Sequence, residues 1–268
     1  MLASSTPDAL WSAPSLRVLR PAAVSCSDLT RKHFLDRCTL SVPVGVRLLV
    51  VAEPDESASM LLRILAGLSR PSRGRMEIAG LTDPSAQGWG RRIAYVGPEP
   101  GIPEWMTPRE ALALAAGLLE LPGAEATRRA ERALAWVHIV GDAADRPVRR
   151  GGPPLLQRTG FAAALLADPE VLLLDEPLRA LETAERARLL RLPGRRRTVL
   201  LASRYPASEE GLVTHIALLR GGRPALLARS ANLAANDLPL SMRGIRALAD
   251  RIGAQEQRRP HGGAVTLQ

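Results

Sequence analysis

The sequence predicts an α/β fold: a mostly parallel sheet covered on both faces, with an antiparallel β region and an inserted helical subdomain. Three observations carry this. RLLVVA (residues 47–52) and VLLLDEP (171–177) hold the continuous apolar runs of strands buried on both faces. Helical patterns follow both runs, which requires crossover connections. Between them, residues 107–144 are rich in alanine and leucine at helical spacing, with no strand pattern among them. With 268 residues, 46% of them hydrophobic, the chain has ample material for such a core.

The elements follow in order. CTLSVPVGVRLLVVA (38–52) alternates, turns at Pro43 and Gly45, then becomes continuously apolar. A helix is expected over 58–68, stopped by Gly67 or the polar SRPSRGR. MEIAGL (76–81) and RRIAYV (91–96) read as strands. TPREALALAAGLLEL opens with Thr107 as N-cap, Pro108 at the first helical position and Glu110 three residues after the cap. AEATRRAERALAWVHIV is a second helix beyond Pro122–Gly123. GFAAALLADPE is then a helix, VLLLDEP a strand, AERARLLRLPG a helix, RTVLLAS (197–203) a strand and HIALLRGGRPALL (215–227) a hairpin. One more helix is expected after Asn236. The chain divides into 1–100, the first part of the α/β core with about its first 15 residues disordered; 101–157, the helical subdomain; 158–233, the second part of the core; and 234–268, a C-terminal helix and mobile tail.

Composition narrows the function. No run approaches eighteen apolar residues, so no membrane span is expected. MLASSTPDALW lacks the basic-then-apolar order of a secretory signal. Cys26 and Cys38 have no metal-ligand spacing and suit a reducing compartment. The net charge of +9 is almost entirely arginine, Lys32 being the one lysine. The arginines are scattered, and aromatic residues are 3% of the chain, so neither a basic face nor stacking platforms point to a nucleic acid.

VLLLDEP carries the chemistry. It places Asp175 and Glu176 at the C-terminal end of a central strand, the edge where open α/β sheets bind ligands. Adjacent carboxylates there suit a magnesium ion and a water-activating base.

Over about residues 16–230 the chain resembles the ATP-binding subunit of an ABC transporter, which implies a P-loop NTPase-like fold. FLDRCTLSVPVGVRLLVV is similar to that family's first strands, and LLRILAGLSRPSRGRMEIAG to the helix and strand after its phosphate loop. RRIAYVGPEPGIPEWMTPREALALAAGL, LLADPEVLLLDEPLRALE and HIALLRGGRPAL resemble the approach to its helical subdomain, its Walker B strand with D-loop, and its closing hairpin.

The resemblance also locates departures. The family's G-x-x-x-x-G-K-[ST]-[ST] loop falls on Ala52 through Met60: Ala52 and Ser57 replace the glycines and Ala58 the lysine, Asp55 and Glu56 add negative charge, and Ser59 is retained as an implied magnesium ligand with Asp175. Such a loop aims backbone N–H groups and one ammonium at phosphates, and Ser57 is expected to meet strain in its left-handed conformation. Losing one partner of a desolvated charge pair costs about 2–5 kcal/mol, roughly thirty- to several-thousand-fold in affinity. Arg63, one turn along the helix, is the nearest substitute cation. The Q-loop glutamine falls on Pro98, the D-loop aspartate on Glu182 and the switch histidine on Arg204, and His33 is the nearest aromatic for adenine. The L-S-G-G-Q signature falls on Gly151, Gly152, Pro153, Pro154 and Leu155, where the prolines lack N–H donors.

The resemblance therefore implies a degenerate nucleotide-binding subunit without normal ATP binding or hydrolysis, Glu176 being the residual base position. It implies a structural or regulatory role beside a membrane-spanning transporter subunit, with a competent ABC ATPase as heterodimer partner, at the cytoplasmic face of the membrane. The expected cofactor is none. An atypical active subunit, with Mg-ATP as cofactor, and a soluble interaction module without transport role are the alternatives. Trp105, after Pro103 in a loop, is the expected partner contact, while Trp89 and Trp136 are expected to pack internally.

Overall fold

The computed structural model describes residues 22–53, 56–86, 88–192 and 197–257. Among them, β1 (Ala22–Arg31), β2 (Leu35–Pro43) and β4 (Arg73–Ile78) form an antiparallel sheet in the order β2-β1-β4. The main sheet contains β3 (Arg47–Glu53), β5 (Ile93–Val96), β6 (Val171–Asp175), β7 (Thr198–Ala202), β8 (His215–Arg220) and β9 (Arg223–Arg229). Its order is β5-β6-β7-β3-β8-β9, parallel up to β8 and closed by the antiparallel β8–β9 hairpin.

The apolar runs are continuous because both sheet faces are covered. Leu48 and Val50 of β3 enter one core with Leu173, Leu200, the antiparallel sheet and α1 (Glu56–Leu65), which contributes Leu61, Leu62 and Leu65. Leu49 and Val51 enter the other with Leu172, Leu174, Val199 and Leu201. There they meet the helical subdomain and the C-terminal helices α7 (Ala231–Ala234) and α8 (Met242–Gln257).

The helical subdomain contains α3 (Pro108–Leu118) and α4 (Gly123–Trp136), and α5 (Gly152–Leu165) runs from it back to the core. The expected capping box at α3 is present: Thr107 Oγ1 accepts from the Glu110 amide at 3.1 Å, and Glu110 Oε2 accepts from the Thr107 amide at 2.9 Å. Pro153 and Pro154 lie in the first turn of α5, where a helix leaves its N–H groups unused. Phe161 on α5 is fully buried in the second core.

Several boundaries differ from the sequence reading. β1 was hidden because its pairing is interrupted by register shifts that break the alternation. In RRIAYV the first residues belong to a helical turn, α2 (Trp89–Arg92), and the strand starts at Ile93. In MEIAGL the strand ends at Ile78, and Ala79 and Gly80 turn with positive φ. α5 begins at Gly152 rather than near residue 160 and crosses the expected 157/158 boundary. α6 (Thr183–Leu190) follows β6 as expected. The first 15 residues and the end of the tail lie outside the described residues. Among the described residues no helix is long and apolar enough to cross a membrane.

Thr107→Ala is expected to lower stability by about 1 kcal/mol through loss of the cap. Phe161→Ala should cost about 3–5 kcal/mol through loss of buried volume. Urea unfolding of the three proteins side by side checks both values and their order.

Candidate functional site

The parallel strands end together, so four connections meet along one sheet edge. The end of β3 leads into α1, β5 leads to Gly97 and Pro98, β6 ends at Asp175, and β7 leads to Ser203 and Arg204. Asp175 is 3% exposed and is held at both oxygens. Ser59 Oγ donates to Oδ1 at 2.8 Å, and the Tyr95 hydroxyl donates to Oδ2 at 2.9 Å. Burial first, and then the neighbouring Asp175 carboxylate, push the Tyr95 phenol up from its ordinary value; the positive charge of Arg63 on α1 opposes part of that rise.

Glu176 is also taken up by its own chain. Its Oε1 accepts from the Arg204 backbone N–H at 2.5 Å, and its Oε2 accepts from Arg179 Nε at 2.7 Å. The Arg204 contribution to Glu176 is therefore a backbone amide, and its side chain is exposed. Glu176 and Leu178 both have positive φ, at 46° and 56°. Non-glycine residues hold such angles only where surrounding structure enforces them.

At the β3–α1 junction the strand runs to Glu53, paired with Arg220, and the helix begins at Glu56. The two residues between them, Pro54 and Asp55, lie outside the described residues. Ala52 is a buried strand residue. Ser57 is helical, which corrects the expectation of a strained left-handed serine, and its buried Oγ donates to the Phe34 carbonyl at 2.7 Å. Ala58 is 5% exposed and packs in the core beneath the antiparallel sheet. Met60 is half-buried against the same core. The Glu53 carboxylate is tied to Arg220 and to Arg246 of α8.

The remaining expected positions are spread along the edge. Gly151 and Gly152 lead into α5, Gly152 with φ 63°, and Leu155 lies so close that a Cβ on Gly151 would meet its side chain at 2.5 Å. Glu182 precedes α6 without capping it through its side chain. His33 is exposed in the β1–β2 turn at φ 70°. Trp105 is 62% exposed, with Leu114 and Leu118 also exposed on α3. Trp89 is buried as expected, and Trp136 lies against the second core. Sequence reasoning missed Tyr95, Arg179 and Gln157. Gln157 donates to the Pro98 carbonyl and accepts from the Ala180 amide, joining two of the connections. Arg179 had a visible signal, three residues after Glu176, whereas Tyr95 and Gln157 meet their partners only through the fold.

The family model described as ABC transporter matches residues 36–179, more than half of the chain. The chain belongs to the ABC transporter ATP-binding family. An uncharacterized ABC transporter ATP-binding protein of Nostoc sp. is 31% identical over 220 residues, covering 75% of this chain and 65% of the relative. A taurine import ATP-binding protein TauB of Sinorhizobium fredii is 32% identical, covering 77% and 75%. An aliphatic sulfonates import ATP-binding protein SsuB of Mycobacterium avium is 34% identical over 155 residues, covering 58% and 57%. The chain spans less than two thirds of the Nostoc and Mycobacterium relatives.

Solved structures carry the same fold. A dimeric ATP-binding cassette in a post-hydrolysis state with ADP and Pi superposes with a TM-score of 0.69 at 18% identity, covering 77% of this chain and 98% of that one. A nucleotide-free ATP-binding cassette from an ABC transporter also gives 0.69, at 13% identity, covering 90% and 100%.

Ultraviolet titration of the Tyr205→Phe protein, which leaves Tyr95 as the remaining tyrosine, is expected to show a midpoint above the ordinary value of about 10. Adding Asp175→Asn removes the adjacent negative charge and should bring that midpoint down.

Proposed function

We propose that this chain is a degenerate ATP-binding subunit of an ABC import system, without normal ATP binding or hydrolysis. On this reading it serves as a structural or regulatory partner of a membrane-spanning permease at the cytoplasmic face of the membrane. The observation that carries the proposal is Ala58, a buried core residue at the position of the family's phosphate-loop lysine. A phosphate cradle needs several consecutive non-helical residues whose amides converge on the phosphates, with a cation above them. Here strand pairing continues to Glu53, the helix has already started at Glu56, and the lysine position is a core alanine. Mg-ATP does not fit these residues.

The rest of the edge supports the same reading. Ser59 and Asp175 are the residues suited to a magnesium ion, and each is bonded to the other, with Tyr95 on the second carboxylate oxygen. Pro153 and Pro154 remove two amide donors from the first turn of α5, where the family's signature supplies them. Phosphoryl transfer depends on positioning and electrostatic stabilisation, and both composite sites of a dimer built with this chain lack contacts. A competent ABC ATPase subunit as heterodimer partner would still inherit one altered site from each face.

The import class follows from the names of the TauB and SsuB relatives, and the cargo would be set by the membrane subunits. The exposed Trp105, Leu114 and Leu118 are the apolar surface proposed to meet the permease.

Calorimetry with millimolar Mg-ATP on the whole chain and on Asp175→Ala is the test. No saturable heat from either protein is expected. Saturable binding in the wild type that Asp175→Ala abolishes would overturn the reading and establish an atypical working subunit in its place.

A further inference from the structure

The residue at the family's base position sits in a closed set of ion pairs. Arg179 donates through Nε to Glu176 at 2.7 Å, through Nη1 to Ser208 Oγ at 2.9 Å, and through Nη2 to Ser203 Oγ at 2.5 Å and Glu209 Oε1 at 2.9 Å. Glu209 is fully buried and is also held at both oxygens by Arg186 Nη2 at 2.9 Å. Arg186 Nε donates to the Pro177 carbonyl at 2.8 Å. Burial lowers the Arg186 pKa from its ordinary value, and the Glu209 carboxylate opposes that shift. The Arg179 guanidinium also lies over the Tyr205 ring, 5.5 Å from its centroid.

Two arginines and two glutamates thus balance in charge, with Glu176 and Arg179 after β6, Glu209 after β7 and Arg186 on α6, and they tie two segments together. One segment is 176–182, following β6, and the other is 203–209, following β7 and ending in the short 3-10 turn Pro206–Glu209. Buried charges persist where every partner is present, and removing one partner leaves the others uncompensated. Glu176 bridges the same two segments a second time, because its other oxygen takes the Arg204 amide. The positive φ of Glu176 and Leu178 is the backbone conformation that this bridge holds in place.

We infer that Glu176 in this chain is a structural ion-pair residue and that Arg179 is the positioning residue that removes it from water activation. A general base must turn toward the proton it takes, and the Glu176 carboxylate is held in its present orientation by one bond at each oxygen. Turning Glu176 toward a water would break a charge-assisted bond to Arg179 and release the Arg204 amide. Arg179 thereby fixes the 176–182 segment against 203–209 without any nucleotide. This deepens the proposed loss of hydrolysis, yet it is tested without ATP.

The experiment is thermal unfolding of the nucleotide-free full chain as a double-mutant cycle of Glu176→Gln and Arg179→Ser. Each single change is expected to lower Tm by roughly 3–8 °C, as charge-assisted bonds of this kind and a chain of this length imply. The double variant should fall little below the worse single one, because both remove the same pair. Amide hydrogen exchange supplies a second measurement. In Arg179→Ser, exchange at the Arg204 amide should quicken about tenfold while the amides of β6 stay protected. Additive Tm losses, a Glu176→Gln protein within about 1 °C of wild type, or unchanged Arg204 protection would each overturn the assignment. A wild-type Tm raised by Mg-ATP would count against the proposed loss of binding while leaving the ion-pair assignment to the cycle.

Discussion

The bond network around Asp175 is the constraint on which the functional edge depends. Asp175 ends the central strand β6 at 3% exposure, where an unpaired carboxylate would be costly. Ser59 satisfies one oxygen from α1 and Tyr95 the other from the end of β5. Three elements separated widely in sequence are thereby held to one point. The position of α1 follows from it, since Ser59 fixes the helix's first turn while Leu61, Leu62 and Leu65 fix its buried face.

Beyond that point the edge is organised by arginine. Lysine is almost absent, and the planar guanidinium replaces it with a group that holds several acceptors at once. Arg179 joins Glu176, Ser203, Ser208 and Glu209; Arg220 and Arg246 hold Glu53; Arg186 holds Glu209 and the Pro177 carbonyl. Each of these arginines stabilises a connection between strands and helices.

Several features were legible from residue order. The Thr107–Pro108–Glu110 cap, the buried runs of β3 and β6, and the β8–β9 hairpin are local or periodic signals, and each forms where the sequence places it. β1 was not legible, since its irregular pairing with β2 and β4 erases the alternation a strand would show. The early start of α1 was not legible either. Ser57 lies within α1, and its hydroxyl donates to the Phe34 carbonyl, contributed by a hairpin 23 residues earlier.

What the sequence by itself determined is therefore the order of strands and helices, the family, and the chemistry of single residues: Ala58 has no ammonium and Pro153 and Pro154 have no N–H in any fold. What only the tertiary structure decided is where the remaining carboxylates point. Asp175 and Glu176 are adjacent carboxylates in the sequence whatever they meet in the fold. Their partners, Ser59, Tyr95, Arg179 and the Arg204 amide, include groups up to 116 residues away that the parallel sheet brings to one edge. Hydrogen bonding acts over about 3 Å, so which acceptor a donor meets is settled by packing and not by chain order.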